Sequence, residues 1–276
     1  MPDIDFRFAL LGHPLGHTLS PVIHNTAFEA LGIDERYGTL DVRPEDLPEL
    51  MNSLGDSGMH GLNVTVPHKE SVIPFLDSVS EAAGRIGAVN TIAIRDGRLH
   101  GHNTDHTGFR AALPQDPTGP ALILGAGGAA RAVLYALDDT RGGWVAARRS
   151  GQAARLIETV SRAPEMWNVC DWAGRIEVAQ SASLIVNTTP IGMWPDTQRT
   201  PLPGGMLHEG QTAYDLVYNP EETLLLKDAR AAGARVIGGL PMLVGQAAAA
   251  FEIWTGRPLP LDPVHTALKT KLGIAS

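Results

Sequence analysis

The sequence predicts an α/β fold in two domains. Three observations carry that prediction. The chain has 276 residues, more than one compact core of about 100–150 residues holds. Short apolar runs alternate with longer segments of helical period, the pattern of helices crossing over a largely parallel sheet. A glycine-rich turn, GAGGAAR at residues 125–131, stands between such a run and such a segment.

Taken in order, residues 7–11 read as a strand, residues 20–31 as a helix opened by Ser20-Pro21, and residues 36–42 as a second strand. A helix over residues 44–54 follows. Residues 61–66 (GLNVTV) are a strand, and Pro67 opens a helix running to residue 76, with proline where a first turn tolerates it. Residues 91–101 form a hairpin around Asp96-Gly97. The break PQDPTGP at residues 114–120 separates this region from a new strand at 121–124, and the domain boundary falls just before it, near the helix that starts after Asp105. Beyond it come a helix at 129–137, a strand at 144–147, a helix at 152–161, strands at 184–187 and 212–215, a helix at 222–232 and a strand at 235–237. Residues 243–254 make a further helix, followed by a Gly/Pro-rich tail and a short closing helix.

Composition narrows the function classes. The 22 basic and 30 acidic residues leave a formal net charge of -8, and a sequence-independent grip on nucleic acid or an anionic membrane needs clustered Lys and Arg instead. Small molecules are the expected partners, with a homodimer as the assembly left open. Cys170 is the single cysteine, so neither an intramolecular disulfide nor a cysteine metal cage can form, and a reducing cytoplasmic location is expected. The start, MPDIDFRFALLGHPLGH, has the character of neither a signal nor a transit peptide. Among ten histidines, the spacing of His13, His17 and His24 matches no zinc pattern, and no metal is expected.

Gly125, Ala126, Gly127, Gly128, Ala129 and Ala130 follow a strand and open a helix, the context that a dinucleotide fingerprint requires. Gly125 allows the tight turn, Gly127 lets backbone approach a pyrophosphate, and Ala130 lets helix pack on strand. The helix N-terminus adds unpaired N–H groups and the positive end of its dipole. About 20 positions further on, an NAD site carries an acid for the ribose hydroxyl. Here Arg148 and Arg149 stand instead, suited to a 2′-phosphate. NADP is therefore the expected cofactor.

Lys69 falls at the start of the helix expected after Pro67, where the dipole disfavours a cation and lowers its pKa. Asp105 sits where the hairpin ends and a helix begins, which also suits a simple N-cap. If the two converge, the carboxylate orients the ammonium towards a substrate oxygen. Ketone reduction needs such a group, because the oxygen becomes an alkoxide as hydride reaches carbon. Thr18 and Ser20 place two hydroxyls at a strand-to-helix turn, fit for a carboxylate, although Ser20 also reads as an N-cap. Asn90 reads as a turn residue or a polar contact, and Gln246 as an exposed amide or one turned inward on an apolar helix face.

Residues 12–21 (GHPLGHTLSP), 63–70 (NVTVPHKE), 87–91, 103–105, 125–131, 187–193 and 239–246 together resemble the shikimate dehydrogenase family across nearly the whole chain. The resemblance implies a two-domain enzyme with a cleft between its domains, reducing 3-dehydroshikimate to shikimate with NADPH in the pathway to chorismate and the aromatic amino acids. It implies a substrate domain from residues 1–105 completed by 240–276, and a Rossmann domain from 106–239. Lys69 and Asp105 then take the catalytic pair. Thr18, Ser20, Thr65, Asn90, Tyr218 and Gln246 take substrate contacts, while Thr188, Met193 and Gly239 line the nicotinamide end. The family usually carries serine where this chain has Thr18, whose added methyl bears on discrimination against quinate. The resemblance leaves open which of Arg148 and Arg149 meets the phosphate. Two other readings stand beside it: a quinate/shikimate dehydrogenase of broader substrate and cofactor range, and a non-catalytic dinucleotide-binding regulator.

Overall fold

Along the chain of the computed structural model, which describes residues 6–16, 18–113 and 119–273, twelve strands and ten α-helices succeed one another. The first part runs β1 (Phe8–Gly12), α1 (Ser20–Ala30), β2 (Tyr37–Asp41), α2 (Leu47–Ser53), β3 (Gly61–Val64), β4 (Ser78–Val79), α3 (Glu81–Ile86), β5 (Thr91–Arg95) and β6 (Arg98–His102). Then come α4 (Asp105–Ala112), β7 (Ala121–Leu124), α5 (Gly128–Leu137), β8 (Gly143–Ala147), α6 (Ser150–Val160), β9 (Trp167–Asp171), α7 (Arg175–Ala179), β10 (Leu184–Asn187), β11 (Thr212–Asp215), α8 (Leu224–Ala231) and β12 (Arg235–Ile237). Helices α9 (Leu240–Thr255) and α10 (Leu261–Leu272) close the chain. His17 and residues 114–118 of the expected break lie outside the described residues.

The chain divides into two compact units, residues 1–104 with 246–276, and residues 105–245. In the first unit the sheet order is β2-β1-β3-β5-β6-β4. Strands β1, β2 and β3 are parallel, whereas β3 to β5 and β5 to β6 are antiparallel. The expected hairpin forms, with Asp96 at φ 51° and Gly97 at φ 74°, both central residues in the left-handed region as a two-residue turn of primed type requires. Ala9, Leu11, Leu62, Val64, Ile92 and Ile94 pack with Leu47 and Met51 on one side of the sheet. An aromatic group gathers elsewhere in this unit: Phe8 lies 5.2 Å from Phe28 and from Trp254, and Phe28 lies 5.3 Å from Phe251. Burying such side chains stabilises by about 1.5–3 kcal/mol each. The Trp254 indole also donates to Ile92 O at 3.0 Å. These contacts return the end of the chain to the unit its beginning builds.

The second unit is a fully parallel sheet in the order β12-β11-β10-β7-β8-β9. This is the doubly wound arrangement, whose switch point lies between β7 and β10. Alternation along β7 explains why its run is wholly apolar: Ala121 and Ile123 join one core while Leu122 and Leu124 join another. On the first side Phe109 stacks on Tyr214 at 4.9 Å.

One expected element fails. Residues 67–76 form turns and a short 3-10 helix, Ile73–Phe75, rather than an α-helix. Pro74 has no N–H to give back to Glu70. The Lys69 carbonyl accepts instead from Val89 N–H at 2.7 Å, and Ile73 N–H turns to Glu70 O at 3.3 Å. The helix dipole invoked for Lys69 is therefore absent. Strand β4 and helix α3 were not expected, although Ser80 caps α3 by accepting from Ala83 N–H and Gly87 ends it at φ 69°. Strand β9 also went unread: two of its five residues in a row, Asn168 and Val169, are exposed at the sheet edge, which removes a clean alternation. Helix α7, just five residues long, is too short to show a period.

Candidate active site

In the first unit a polar chain runs through the interior near the ends of β3, β5 and β6. Tyr37 donates its phenol to Asn63 Oδ1 at 2.7 Å, and Asn63 Nδ2 donates to Asn90 O and Thr91 Oγ1, both at 3.3 Å. Thr91 Oγ1 donates to Asn90 Oδ1 at 3.1 Å. Asn90 Nδ2 in turn donates to Thr104 Oγ1 at 2.9 Å and to Gln246 Oε1 at 3.4 Å. Asn63, Asn90, Thr91 and Thr104 are all buried, so these bonds satisfy groups that would otherwise be costly to desolvate. Asn90 is thus a hub rather than an exposed turn residue, and Gln246 turns inward. Tyr37 and Asn63 were not singled out from sequence. The readable signal was Asn63 itself, an amide inside an otherwise β-forming run.

Ser20 does not cap α1. It is the first helical residue, Leu19 holds the capping position without a side-chain bond, and the Ser20 N–H donates to Thr18 Oγ1 at 3.2 Å. The Ser20 side chain is buried, and burial pushes the Tyr37 phenol well above its ordinary pKa, partly opposed by Ser20. The preceding loop is held by Asp41, which accepts from Leu15 N–H at 3.0 Å and pairs with His13 Nδ1 at 2.6 Å. Those contacts, the Leu15 N–H first, hold the Asp41 carboxyl below the usual range. Thr65 and Lys69 follow β3 and are half-buried. His24 lies in the aromatic group, stacked on Tyr37 at 4.5 Å. Among the described residues no three His, Cys, Asp or Glu side chains gather to hold a metal ion.

The second unit carries the glycine turn at the switch point. Gly125 sits at φ 117°, and a Cβ there would meet Thr188 Oγ1 at 2.5 Å, so only glycine fits. Gly127 holds the capping position of α5 in extended backbone with open space around it, while Ala130 is buried against the sheet. The β7–α5 turn is tied to its neighbour by Thr188, whose N–H and Oγ1 both donate to Leu124 O, at 3.0 and 2.7 Å. Arg148 and Arg149 follow β8 and are exposed, free to meet an anion at that strand end. Gly239 lies beneath Leu216 O, too close for any side chain. Met193 is 45 % exposed, Tyr218 is half-buried, and burial raises the Tyr218 pKa. Asp105 is buried as the first residue of α4.

A doubly wound sheet with an open glycine turn and a basic pair in place of the ribose acid, carried on one chain with a second α/β unit rich in buried amides and hydroxyls, defines a dinucleotide-dependent oxidoreductase. The profile of the shikimate dehydrogenase substrate binding domain matches residues 10–92, and that of the shikimate 5′-dehydrogenase C-terminal domain matches residues 239–269. Shikimate dehydrogenase (NADP+) of Moorella thermoacetica is 48 % identical over 97 % of this chain and 94 % of its own. The crystal structure of the Thermus thermophilus shikimate 5-dehydrogenase with NADP(H) and shikimate is 41 % identical, with a TM-score of 0.87 over 96 % of this chain and 99 % of its own. Quinate dehydrogenase of Corynebacterium glutamicum with NAD is 33 % identical, with a TM-score of 0.89 over 95 % and 98 %. The chain belongs to the shikimate dehydrogenase family.

Proposed function

We propose that this protein interconverts 3-dehydroshikimate and shikimate with NADP(H), on the route to chorismate. The observation that carries the reading on this chain is the coexistence of the Arg148-Arg149 pair after β8 with the buried Asn90 hub that Gln246 joins. Bound at the Gly125–Ala129 turn, NADPH supplies a hydride to the substrate carbonyl carbon. The open backbone at Gly127 and the N-terminus of α5 suit its pyrophosphate. Arg148 and Arg149 hold its 2′-phosphate, and Thr188, Met193 and Gly239 line its nicotinamide end.

Thr18 and Ser20 hold the substrate carboxylate. Thr65, Asn90, Tyr218 and Gln246 orient the ring hydroxyls. The Lys69 ammonium meets the reacting oxygen, stabilising negative charge as it forms and giving it a proton, and the Asp105 carboxylate orients that ammonium. Residues 1–105 with 240–276 act as the substrate domain and residues 106–239 as the NADP domain.

No helix among the described residues is long and apolar enough to cross a membrane. The lone, buried Cys170 supports a reducing, cytoplasmic site of action. The assembly proposed is a homodimer, the commonest closed symmetry, and sedimentation mass checks it. Thr18 in place of the usual serine favours one second reading, a tolerance for quinate. The test is NADP+ reduction followed at the nicotinamide absorbance with shikimate and with quinate, each repeated with NAD+. Turnover confined to shikimate with NADP+ supports the reading, and comparable rates with quinate and NAD+ replace it with the broader dehydrogenase.

A further inference from the structure

Strands β10 and β11 end side by side, with Asn187 in register with Asp215. Both residues are completely buried. Asp215 Oδ1 accepts from Asn187 Nδ2 at 2.9 Å and from Val217 N–H at 3.0 Å, and Oδ2 accepts from Thr223 Oγ1 at 2.7 Å. None of these partners is a cation. Desolvation consequently pushes the Asp215 pKa up to about 6, against the opposing pull of its three donors.

A carboxylate kept there without a counter-ion is costly, so its contacts show what it secures. Because it only accepts, it forces the Asn187 amide to present Nδ2 inward. Nδ2 then also donates to Ile191 O at 3.2 Å, and Asn187 Oδ1 accepts from Thr189 N–H at 3.0 Å and Thr189 Oγ1 at 2.7 Å. Asn187 therefore grips the turn after β10 at two points, and that turn leads to Met193 and Trp194, 45 % and 53 % exposed. On the other side, Val217 precedes Tyr218, and Thr223 caps α8 by accepting from Leu226 N–H at 3.4 Å.

We propose that Asp215 is a positioning residue: through Asn187 it fixes the 188–193 turn, and through Val217 and Thr223 it fixes the segment carrying Tyr218. One buried carboxylate thereby sets both the nicotinamide-lining turn and a substrate tyrosine. The inference rests on the roles given above to Thr188, Met193 and Tyr218.

The test compares Asp215→Ala, Asp215→Asn and Thr223→Val in the full chain by hydrogen exchange, NADPH binding and steady-state kinetics. For Asp215→Ala the expected result is faster exchange in residues 188–194 and 216–223 with β7 unchanged. NADPH affinity stays within about threefold while kcat with shikimate falls at least about tenfold, as expected when reacting groups are misplaced rather than lost. Asp215→Asn keeps one acceptor oxygen for Asn187 and Val217, so it restores slow exchange in residues 188–194. If Asp215→Ala does not fold, Thr223→Val, which deletes one donor, reads the same pattern at residues 216–223. Exchange rising uniformly across residues 105–245, unchanged exchange in both loops, or loosened loops with unchanged kcat overturns the proposal. Should the wild type not oxidise shikimate with NADP+, the functional reading fails, and the exchange pattern still decides whether Asp215 braces the loops.

Discussion

Thr104 gives its backbone N–H to Asn90 Oδ1 at 2.6 Å, and Thr104 is 2 % exposed. Asn90→Ala leaves that donor without its acceptor inside the protein, at a cost of about 1–3 kcal/mol. The urea midpoint should fall accordingly, and the KM for shikimate should rise because Gln246 loses its bond from Asn90. A variant as stable as the wild type shows that water replaces the amide and that Asn90 is no hub.

Lys69 contributes to the fold through its carbonyl, which accepts from Val89 N–H, and Lys69→Ala keeps that bond. Turnover should fall about 10²–10⁴-fold, the range for a lost acid–base group, while NADPH binding changes little. Equal loss of turnover and cofactor affinity, measured by fluorescence titration, assigns Lys69 a structural role.

Arg148 and Arg149 are both exposed after β8, so replacing them leaves the core intact. Each charge-assisted bond to a phosphate is worth about 1.5–3 kcal/mol, roughly ten- to hundredfold in NADPH affinity. The double Ala variant should lose that much for NADPH and almost nothing for NADH, and the two single variants reveal which guanidinium makes the contact. Unchanged NADPH affinity in the double variant removes the 2′-phosphate assignment.

His24 is fully buried and its folded pKa is lowered by desolvation from 6.5 to about 3, with Asn63 opposing weakly. Between those values the unfolded chain takes up a proton that the folded protein refuses, so stability drops as pH falls through that window, by up to about 1.4 kcal/mol per pH unit. Asp215 acts in the opposite sense: with its folded pKa raised from 3.8 to about 6, the native state binds a proton first and gains stability as pH falls between those values. Comparing wild type with His24→Phe cancels the Asp215 contribution. From pH 7.5 to 5 the wild type should lose about 2 kcal/mol more than the variant in urea unfolding. Parallel pH profiles place the His24 proton uptake outside this scheme.

The periodic elements were legible because their information is local. The apolar run of β7, the Asp96-Gly97 hairpin and the Gly125 turn each follow from neighbours within a few residues. The glycine turn and the basic pair were likewise read in place, since both are defined by spacing from one strand. Less was legible in the set proposed to bind substrate. Ser20 looked like a cap because a serine before a helix usually is one, and its burial as the first helical residue carries no local trace. Asn63 stands out locally as an amide in a β-forming run, but its partners Tyr37 and Thr91 do not.

What the sequence determined by itself is the α/β class, the succession of strand–helix units, the glycine turn that opens α5, and the family. What the tertiary structure alone decided is where buried polar groups find partners. Residues 67–76 abandon a helix because Pro74 withholds a donor and Val89 offers the Lys69 carbonyl a bond; Trp254 binds Ile92 O from the far end of the chain; and Asn187 meets Asp215 across two strands. The physical reason is common to all three. Helical and turn preferences act within about four residues, whereas a desolvated donor or acceptor takes whichever partner the folded chain brings within about 3 Å, however distant in sequence.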